Sequence, residues 1–325
     1  MSRYAIILAA GKGSRMKSKR EDISKVSFPI LGQPLVKYVI EALKPLHLDK
    51  LIAVVGFGGK TSEKVVKNDC EVVWQHEQKG AGHAVMMTAP LLEGKEGETI
   101  VCCGDTPLLS SKTLEKMFQY HEENHNDLTV MTFVIDNPFG YGRIIKENGR
   151  FIRIVEQRDT TPETACVKEV NAGVYIFNNK ALFEALKNLK TDNAAGEYYI
   201  TDAIEIFVKE GLKVDTFRVD DITETLGVND RAQLATAAKL LQKRINHQHM
   251  INGVTIEDPD NTYIAPNVRI GADSIIKPGS YIMGDTLIGE ECVIGPNAVL
   301  DSVTVKDNEI VKPNEIVKPN EIRQK

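Results

Sequence analysis

Along the first two-thirds of the chain, short apolar runs alternate with stretches in which apolar residues recur at helical spacing. Tyr4 to Ala9, Leu51 to Val55, Cys70 to Trp74, Thr99 to Cys103, Thr129 to Ile135 and Val174 to Phe177 predict strands. Leu35 to Leu43, His83 to Leu91, Ser111 to Glu122, Lys180 to Leu189 and Thr201 to Glu210 predict the helices between them. Strands that alternate with helices imply an α/β domain whose mostly parallel sheet is covered on both faces. Ligands of such sheets sit beyond the carboxyl ends of the strands.

From Asp230 to about His249 a stretch rich in Ala, Leu, Lys and Gln reads as one helix, an arm between domains. The pattern then changes. Ile264, Ile270, Ile276, Ile282, Ile288, Ile294 and Leu300 fall at every sixth residue, with small residues four places on at Ser274, Ser280, Cys292 and Ala298. A strict period of six predicts a parallel β-helix, in which each hexapeptide forms one side of a triangular coil and its aliphatic residue fills the core. The same register puts Lys306 inward, and with it Lys312 and Lys318 of the near-verbatim repeat NEIVKPNEIVKPNEIRQK that follows. Buried unpaired lysines are too costly. Either the register shifts so that Val305, Val311 and Val317 face inward, or the repeat is a frayed end. The division is therefore residues 1–228, an arm over 229–250, and a short β-helix over 251–325.

With 42% hydrophobic and 26% charged residues among 325, the composition is that of a soluble globular protein. A net charge of −5 argues against a general nucleic-acid binder or a membrane-surface protein. Five cysteines with no C-x-x-C pair suit a reducing cytosol, and no window reaches membrane-spanning length. Adjacent Cys102 and Cys103 point to opposite faces of a strand and read as packing residues. The expectation is a cytoplasmic protein that binds neither nucleic acid nor membrane.

Candidate chemistry begins at Tyr4 to Met16, YAIILAAGKGSRM, an apolar run followed by a glycine-rich basic turn. The phosphate loop G-x-x-x-x-G-K-[ST] does not fit, since one residue separates Gly11 from Gly13. The dinucleotide fingerprint G-x-G-x-x-G fails because Met16 replaces its third glycine. A strand, a turn rich in free backbone N–H groups, and the cations Lys12 and Arg15 together suit an anion cradle or an ordinary βα turn. Asp105, after the strand Thr99 to Cys103, reads as a turn former before Pro107 or as a ligand for Mg²⁺ held against phosphate oxygens. Asn229 in GVND reads as a helix cap or as a second such ligand. His121-Glu122-Glu123-Asn124-His125 matches H-E-x-x-H, but the helix ends there and no third ligand is evident, so a solvated helix end explains it better than zinc.

LAAGKGSRM, VWQHEQKGAGHAV, CGDTPLL, PFGYGRII, IVEQRD, VNAGVY, NAAGEYYITDAI and GVNDR occur here in the order seen in the N-acetylglucosamine-1-phosphate uridylyltransferases. These are the amino-terminal half of the bifunctional GlmU family. The chain resembles that family over the first domain, the arm and the start of the hexapeptide region. The resemblance implies a Rossmann-like nucleotidyltransferase domain followed by a left-handed β-helix. It also implies joining of UTP and N-acetylglucosamine-1-phosphate to UDP-N-acetylglucosamine and diphosphate. That reaction is an in-line attack by an anionic phosphate oxygen, which needs positioning and charge neutralisation rather than a side-chain nucleophile.

By resemblance, the turn from Gly11 through Gly13 to Arg15 wraps the triphosphate, Arg15 and Lys25 neutralise phosphates, and Asp105 with Asn229 holds Mg²⁺. Gln75, Gly80 and Ala81 read uracil with Ala10 and Gly11 nearby. Gly142, Glu156 and Asn171 grip the N-acetylsugar. Four positions depart from the family: Ser24 stands for a Pro, Ala81 for a Thr, Cys103 for a Tyr and Ala195 for a Gln. The segment KSKRE also lengthens the loop before Lys25, leaving Lys19 or Arg20 as alternative phosphate partners. The family's downstream acetyltransferase motifs are absent from about three coils of repeat, so acetyl transfer is not expected, whereas capping and trimerisation through the β-helix are. Competing expectations are another sugar-1-phosphate, an acyltransferase using the β-helix, and a scaffold that binds nucleotide without turnover.

Overall fold

The computed structural model describes residues 1–20 and 22–319. The chain falls into two compact units, Met1–Phe28 with Leu35–Arg231, and Pro29–Pro34 with Ala232–Lys325. The long helix Arg231–Ile251 thus groups with the repeats.

The first unit is built on a nine-stranded sheet. Its strands are β1 (Arg3–Ala9), β2 (Lys50–Val55), β3 (Glu71–Trp74), β4 (Glu98–Cys103), β5 (Leu128–Val134), β6 (Arg143–Glu147), β7 (Arg150–Val155), β8 (Glu169–Asn178) and β9 (Val214–Arg218). The order is β9-β5-β8-β4-β1-β2-β3, with β6 pairing β8 and β7 at one side. β1, β2, β3 and β4 run parallel, as do β5 and β9, while β8 runs antiparallel to both of its long neighbours. Consecutive residues of β1 serve two cores. Ala5 and Ile7 pack with Val36, Val39 and Phe118 on one face, and Tyr4 and Ile6 pack with Leu182, Ile204 and Phe207 on the other. A strand buried on both faces reads as a continuous apolar run rather than an alternation, which is why the run was legible.

Three features differ from the sequence expectation. The helix expected over His83 to Leu91 is two short ones, Ala81–Met86 and Ala89–Leu92. Pro90 lacks an N–H for a continuous ladder and sits in the first turn of the second helix. The hairpin β6–β7 turns at Asn148 and Gly149, both at positive φ, the Asn-Gly signature of a tight hairpin that the charged flanks KENGR disguised. β8 is far longer than Val174 to Phe177, and its register breaks between Asn171 and Tyr175.

In the second unit, short strands stack in parallel on three faces, Tyr263 pairing with Tyr281, eighteen residues on. Ile264, Ile276, Ile282, Ile288, Ile294 and Leu300 fill the axis, while Ile270 is only partly buried. The small residues turn inward at the corners, where the Ser274 and Ser280 hydroxyls donate to the Gly289 and Gly295 carbonyls. The tail lysines stay outside. Leu287 pairs with Thr304, only seventeen residues on, so the corner after Leu300 is one residue short and Val305, Val311 and Val317 take the inward places. Lys306, Lys312 and Lys318 are exposed. Glu309 and Glu315 accept hydrogen bonds from the Lys306 and Lys312 N–H groups, closing each corner. The final NEIRQK lies outside the described residues.

The H-E-x-x-H match has a structural explanation. His121 is buried, its Nδ1 lies 2.8 Å from Thr129 Oγ1, and its Nε2 lies 3.7 Å from Glu98 Oε1. Burial pushes the imidazole down to about 4 and the Glu98 carboxyl up to about 7, so between those values both groups are neutral and the contact is not an ion pair. Glu122 instead accepts from Arg3. Among the described residues, no group of three or more His, Cys, Asp and Glu side chains could hold a metal ion, and no helix is long and apolar enough to cross a membrane.

Candidate active site

The turn after β1 lies at the carboxyl edge of the parallel strands. Gly13 takes the left-handed conformation that starts the short helical turn Ser14–Met16. A Cβ on Gly13 would come within 2.5 Å of Lys25 Cβ, so only glycine lets the turn lie against that residue. Met16 is buried, which fixes the turn from below and leaves Arg15 exposed on its outer side.

Lys25 is held in place from the opposite direction. Ser24 is fully buried, and its hydroxyl bonds those of Ser62 and Ser27. Gly58, also left-handed, approaches the Ser24 backbone so closely that a Cβ there would lie 2.5 Å from its nitrogen. The anchor sets Lys25 beside Asp105. Residues Lys17 to Arg20 of the preceding loop are exposed, and Arg20 pairs with Asp22 at 3.0 Å on two largely exposed side chains.

These constraints bring four separated residues together. Lys25 Nζ donates to Asp105 Oδ2 and, at 2.9 Å, to Asn229 Oδ1, which also accepts from Arg15 Nη2 at 2.8 Å. Asp105 and Asn229 are joined through the backbone by a 2.9 Å bond from Val228 N–H to the Asp105 carbonyl. The cluster sets two cations against one carboxylate and one amide oxygen. Those two oxygens are hard donors of the kind a divalent cation takes.

Asp105 and Lys25 line a cavity of about 580 Å³ together with Ala10, Gly11, Gln75, Gly80 and Ala81. Gln75 is buried, and its Nε2 donates to the Gly80 carbonyl and to His83 Nδ1, each at 3.0 Å. Burial lowers the His83 pKa, aided by Lys79, keeping the ring neutral so that Nδ1 can accept. Gly80 has φ +103°, and a Cβ there would lie 2.6 Å from the Tyr198 carbonyl. Backbone bonds from Gly82 to Tyr198 and from Tyr198 to Lys79 clamp this wall.

The remaining candidates form a second group. At the bulge in β8, Gly173 N–H donates to Asn171 Oδ1 at 2.9 Å, and Asn171 Nδ2 donates to Tyr175 Oη at 2.6 Å. Asn171 N–H donates to the Gly142 carbonyl at 2.9 Å. A Cβ on Gly142 would lie 3.6 Å from Glu156 Oε1, which accepts from Thr201 Oγ1 at 3.1 Å. Burial raises the Glu156 pKa, opposed by the Thr201 bond. Cys103 links the two groups, lining the large cavity with its sulfur 4.0 Å from the Gly173 carbonyl.

Residues 5–203 match the MobA-like NTP transferase domain, and residues 267–302 match six bacterial transferase hexapeptide repeats. The chain belongs to the MobA-like NTP transferase domain family. It is similar to the bifunctional protein GlmU of Geobacillus sp. (strain WCH70), with 46% identity over 90% of this chain and 63% of that protein. The GlmU of Lactobacillus johnsonii is 49% identical over the same shares, and that of Listeria welshimeri 46% identical over 89% and 63%. The chain thus spans 63% of the length of these curated relatives. A solved structure of UDP-glucose pyrophosphorylase complexed with UDP-glucose superposes with a TM-score of 0.59 at 21% identity, over 75% of this chain and all of that one, a likeness of fold.

In this NTP transferase domain the four departures fall into different surroundings. Ser24 has φ −77°, an angle proline shares, so the backbone that carries Lys25 is the one a proline would impose. Ala81 and Cys103 both line the large cavity, and burial pushes the Cys103 thiol up to about 12, which disfavours its thiolate. Ala195 lines a smaller cavity of about 240 Å³ with Glu156, Glu197 and Tyr199. Glu197 borders both cavities and escaped sequence reasoning, as did Gln78 and Thr201. Nothing in its spacing marks Glu197, whereas its place in the E-Y-Y-I-T-D block was a signal available to find it.

Proposed function

We propose that this chain transfers the uridylyl group of UTP to N-acetylglucosamine-1-phosphate, giving UDP-N-acetylglucosamine and diphosphate. The observation that carries this reading is the convergence of Arg15, Lys25, Asp105 and Asn229 beside a nucleotide-sized cavity, in a chain 46–49% identical to three GlmU proteins. An oxygen of the sugar phosphate attacks the α-phosphorus while the bond to the β-phosphate oxygen breaks, and diphosphate leaves with that electron pair. The nucleophile is already anionic, so no side chain need take its proton. What this chain supplies is placement and charge. Arg15 and Lys25 face the phosphates, the Gly11–Gly13 turn offers backbone N–H groups, and the wall of Gln75, Gly80 and Ala81 receives the base. Gly142, Glu156 and Asn171 receive the N-acetylsugar beyond Cys103.

Asp105 and Asn229 fit a bound Mg²⁺, since both oxygens are already turned toward a cation, the Lys25 ammonium. When bound there, the ion would neutralise phosphate oxygens and align the triphosphate. The reading also includes a cytoplasmic location and a homotrimer formed through the β-helix. Purified protein with Mg²⁺, UTP and N-acetylglucosamine-1-phosphate should release diphosphate. Competition with glucose- and N-acetylgalactosamine-1-phosphate, and with dTTP, tests the choice of sugar and base. No diphosphate release from any pair would sink the reading.

A further inference from the structure

Arg143 is the bulkiest of the fully buried side chains, only 2% exposed at the start of β6. Burying a guanidinium is costly, and an aliphatic residue would fill the same volume at less expense. Its bonds show where its effect goes. Nη1 donates to the Tyr141 carbonyl, and Nη2 donates to Gln157 Oε1 at 2.8 Å. The same Gln157 oxygen accepts from Gly140 N–H at 2.7 Å. Nε has no hydrogen-bond partner among the described residues, so the fork is aimed at this turn despite one donor left unmade.

Every group that Arg143 fixes is covalently next to a candidate sugar contact. Tyr141 precedes Gly142, and Gln157 follows Glu156. Gly142 in turn accepts from Asn171 N–H, and a Cβ added to it would meet Ile154 at 2.7 Å and then Asn171 and Glu156 at 3.5 and 3.6 Å. One guanidinium therefore ties the 140–142 turn to the 156–157 segment, and both segments carry sugar-facing groups. We propose that Arg143 is a positioning residue for the sugar phosphate, acting through Tyr141 and Gln157 to hold Gly142, Glu156 and Asn171 in one arrangement. The inference rests on the uridylyltransferase reading and adds to it a residue that does not touch substrate. The planar fork is essential to it. A lysine keeps the charge but cannot bond two acceptors in fixed geometry.

The test is steady-state diphosphate release by the full chain with UTP and N-acetylglucosamine-1-phosphate varied in turn, for Arg143→Lys, Arg143→Met and Gln157→Ala. Loss of alignment costs about tenfold or more. The expected result is a KM for the sugar phosphate raised ~10-fold or more in both Arg143 variants, with the KM for UTP within about twofold and no rescue by lysine. Gln157→Ala removes the shared acceptor without emptying the core, so it should fold even if the Arg143 variants do not, and should shift the same KM in the same direction. A folded Gln157→Ala with unchanged sugar KM, or variants in which both KM values rise together, would overturn the inference while leaving the activity intact. A wild-type chain that releases no diphosphate would instead fail the activity reading, and this inference with it.

Discussion

Asn229→Ala tests the cluster at its most heavily used atom. Oδ1 of Asn229 accepts from both Arg15 and Lys25, at 2.8 and 2.9 Å, so one truncation releases two cations and removes one of the two oxygens assigned to Mg²⁺. The loop itself should hold, because Val228 is buried and its N–H bonds the Asp105 carbonyl. A hydrogen bond to a charged group is worth roughly 1.5–3 kcal/mol. The cluster borders an open cavity and water will recover part of both bonds, so a net loss of about 3 kcal/mol is expected, which is ~10²-fold in kcat/KM. The Mg²⁺ concentration for half-maximal rate should rise ~10-fold or more. The assay is coupled diphosphate release across a Mg²⁺ titration at fixed UTP and sugar phosphate, with thermal melting run in parallel. If the variant melts with the wild type yet keeps its rate and Mg²⁺ dependence within twofold, Asn229 is only a helix-proximal cap and the cation cluster is misassigned.

Lys25→Ala should lower the rate by ~10²-fold while Arg20→Ala leaves it within about twofold, since only the former contacts Asp105 and Asn229. Equal losses would count against Lys25 as the phosphate partner. Val311→Asp puts a carboxylate into a place with no exposure and should cost more than about 3 kcal/mol in denaturant unfolding, against nearly nothing for Lys312→Ala. Equal effects would mean that the register of the last coils is not the one described. Glu98→Gln should remove a pH dependence. A carboxyl raised from 4.5 to about 7 adds stability that is whole below the unfolded pKa and lost as pH rises through 7, about 2–3 kcal/mol between pH 5 and 8. His121, held down at about 4, contributes the opposite slope in both proteins and cancels in the comparison. Parallel urea-unfolding profiles for the two proteins would refute the assigned burial effect.

Much of the fold was legible because its driving patterns are local. β1 is apolar from Tyr4 to Ala9 since both faces are covered there, and the sixfold spacing of Ile264 to Leu300 is set by the side length of one coil. What could not be read is what depends on a partner far along the chain. β9 is half-buried from Val214 to Phe217, exposed at Arg218, and owes its existence to pairing with β5, so its own five residues carry no clear alternation. β8 extends to Glu169 because β5 and β6 offer partners there, while Gly173 at positive φ breaks the pattern within it. The tail shows the limit of period counting. Spacing alone puts lysines in the axis; the cost of burying them points instead to a register shift onto Val305, Val311 and Val317, and a single shortened corner provides it.

The site divides in the same way. The Gly11–Arg15 turn and Gly104-Asp105 could be picked out because each directly follows a strand, and position at a sheet's carboxyl edge is itself a local property. Sequence alone leaves Lys25, Lys19 and Arg20 as candidates, because the contact that sets Lys25 against Asp105 and Asn229 depends on a serine cluster to which Ser62 comes from a distant helix. Ser24 stands where the family has a proline before the lysine. In place it is a substitute: it adopts an angle proline would impose and adds a buried hydroxyl bond that proline could not make. A departure from a family pattern is therefore informative only with its surroundings. Ser24 keeps the geometry, whereas Ala81 and Cys103 alter the cavity wall itself, so a change in substrate preference should be sought at those two positions before the loop that precedes Lys25.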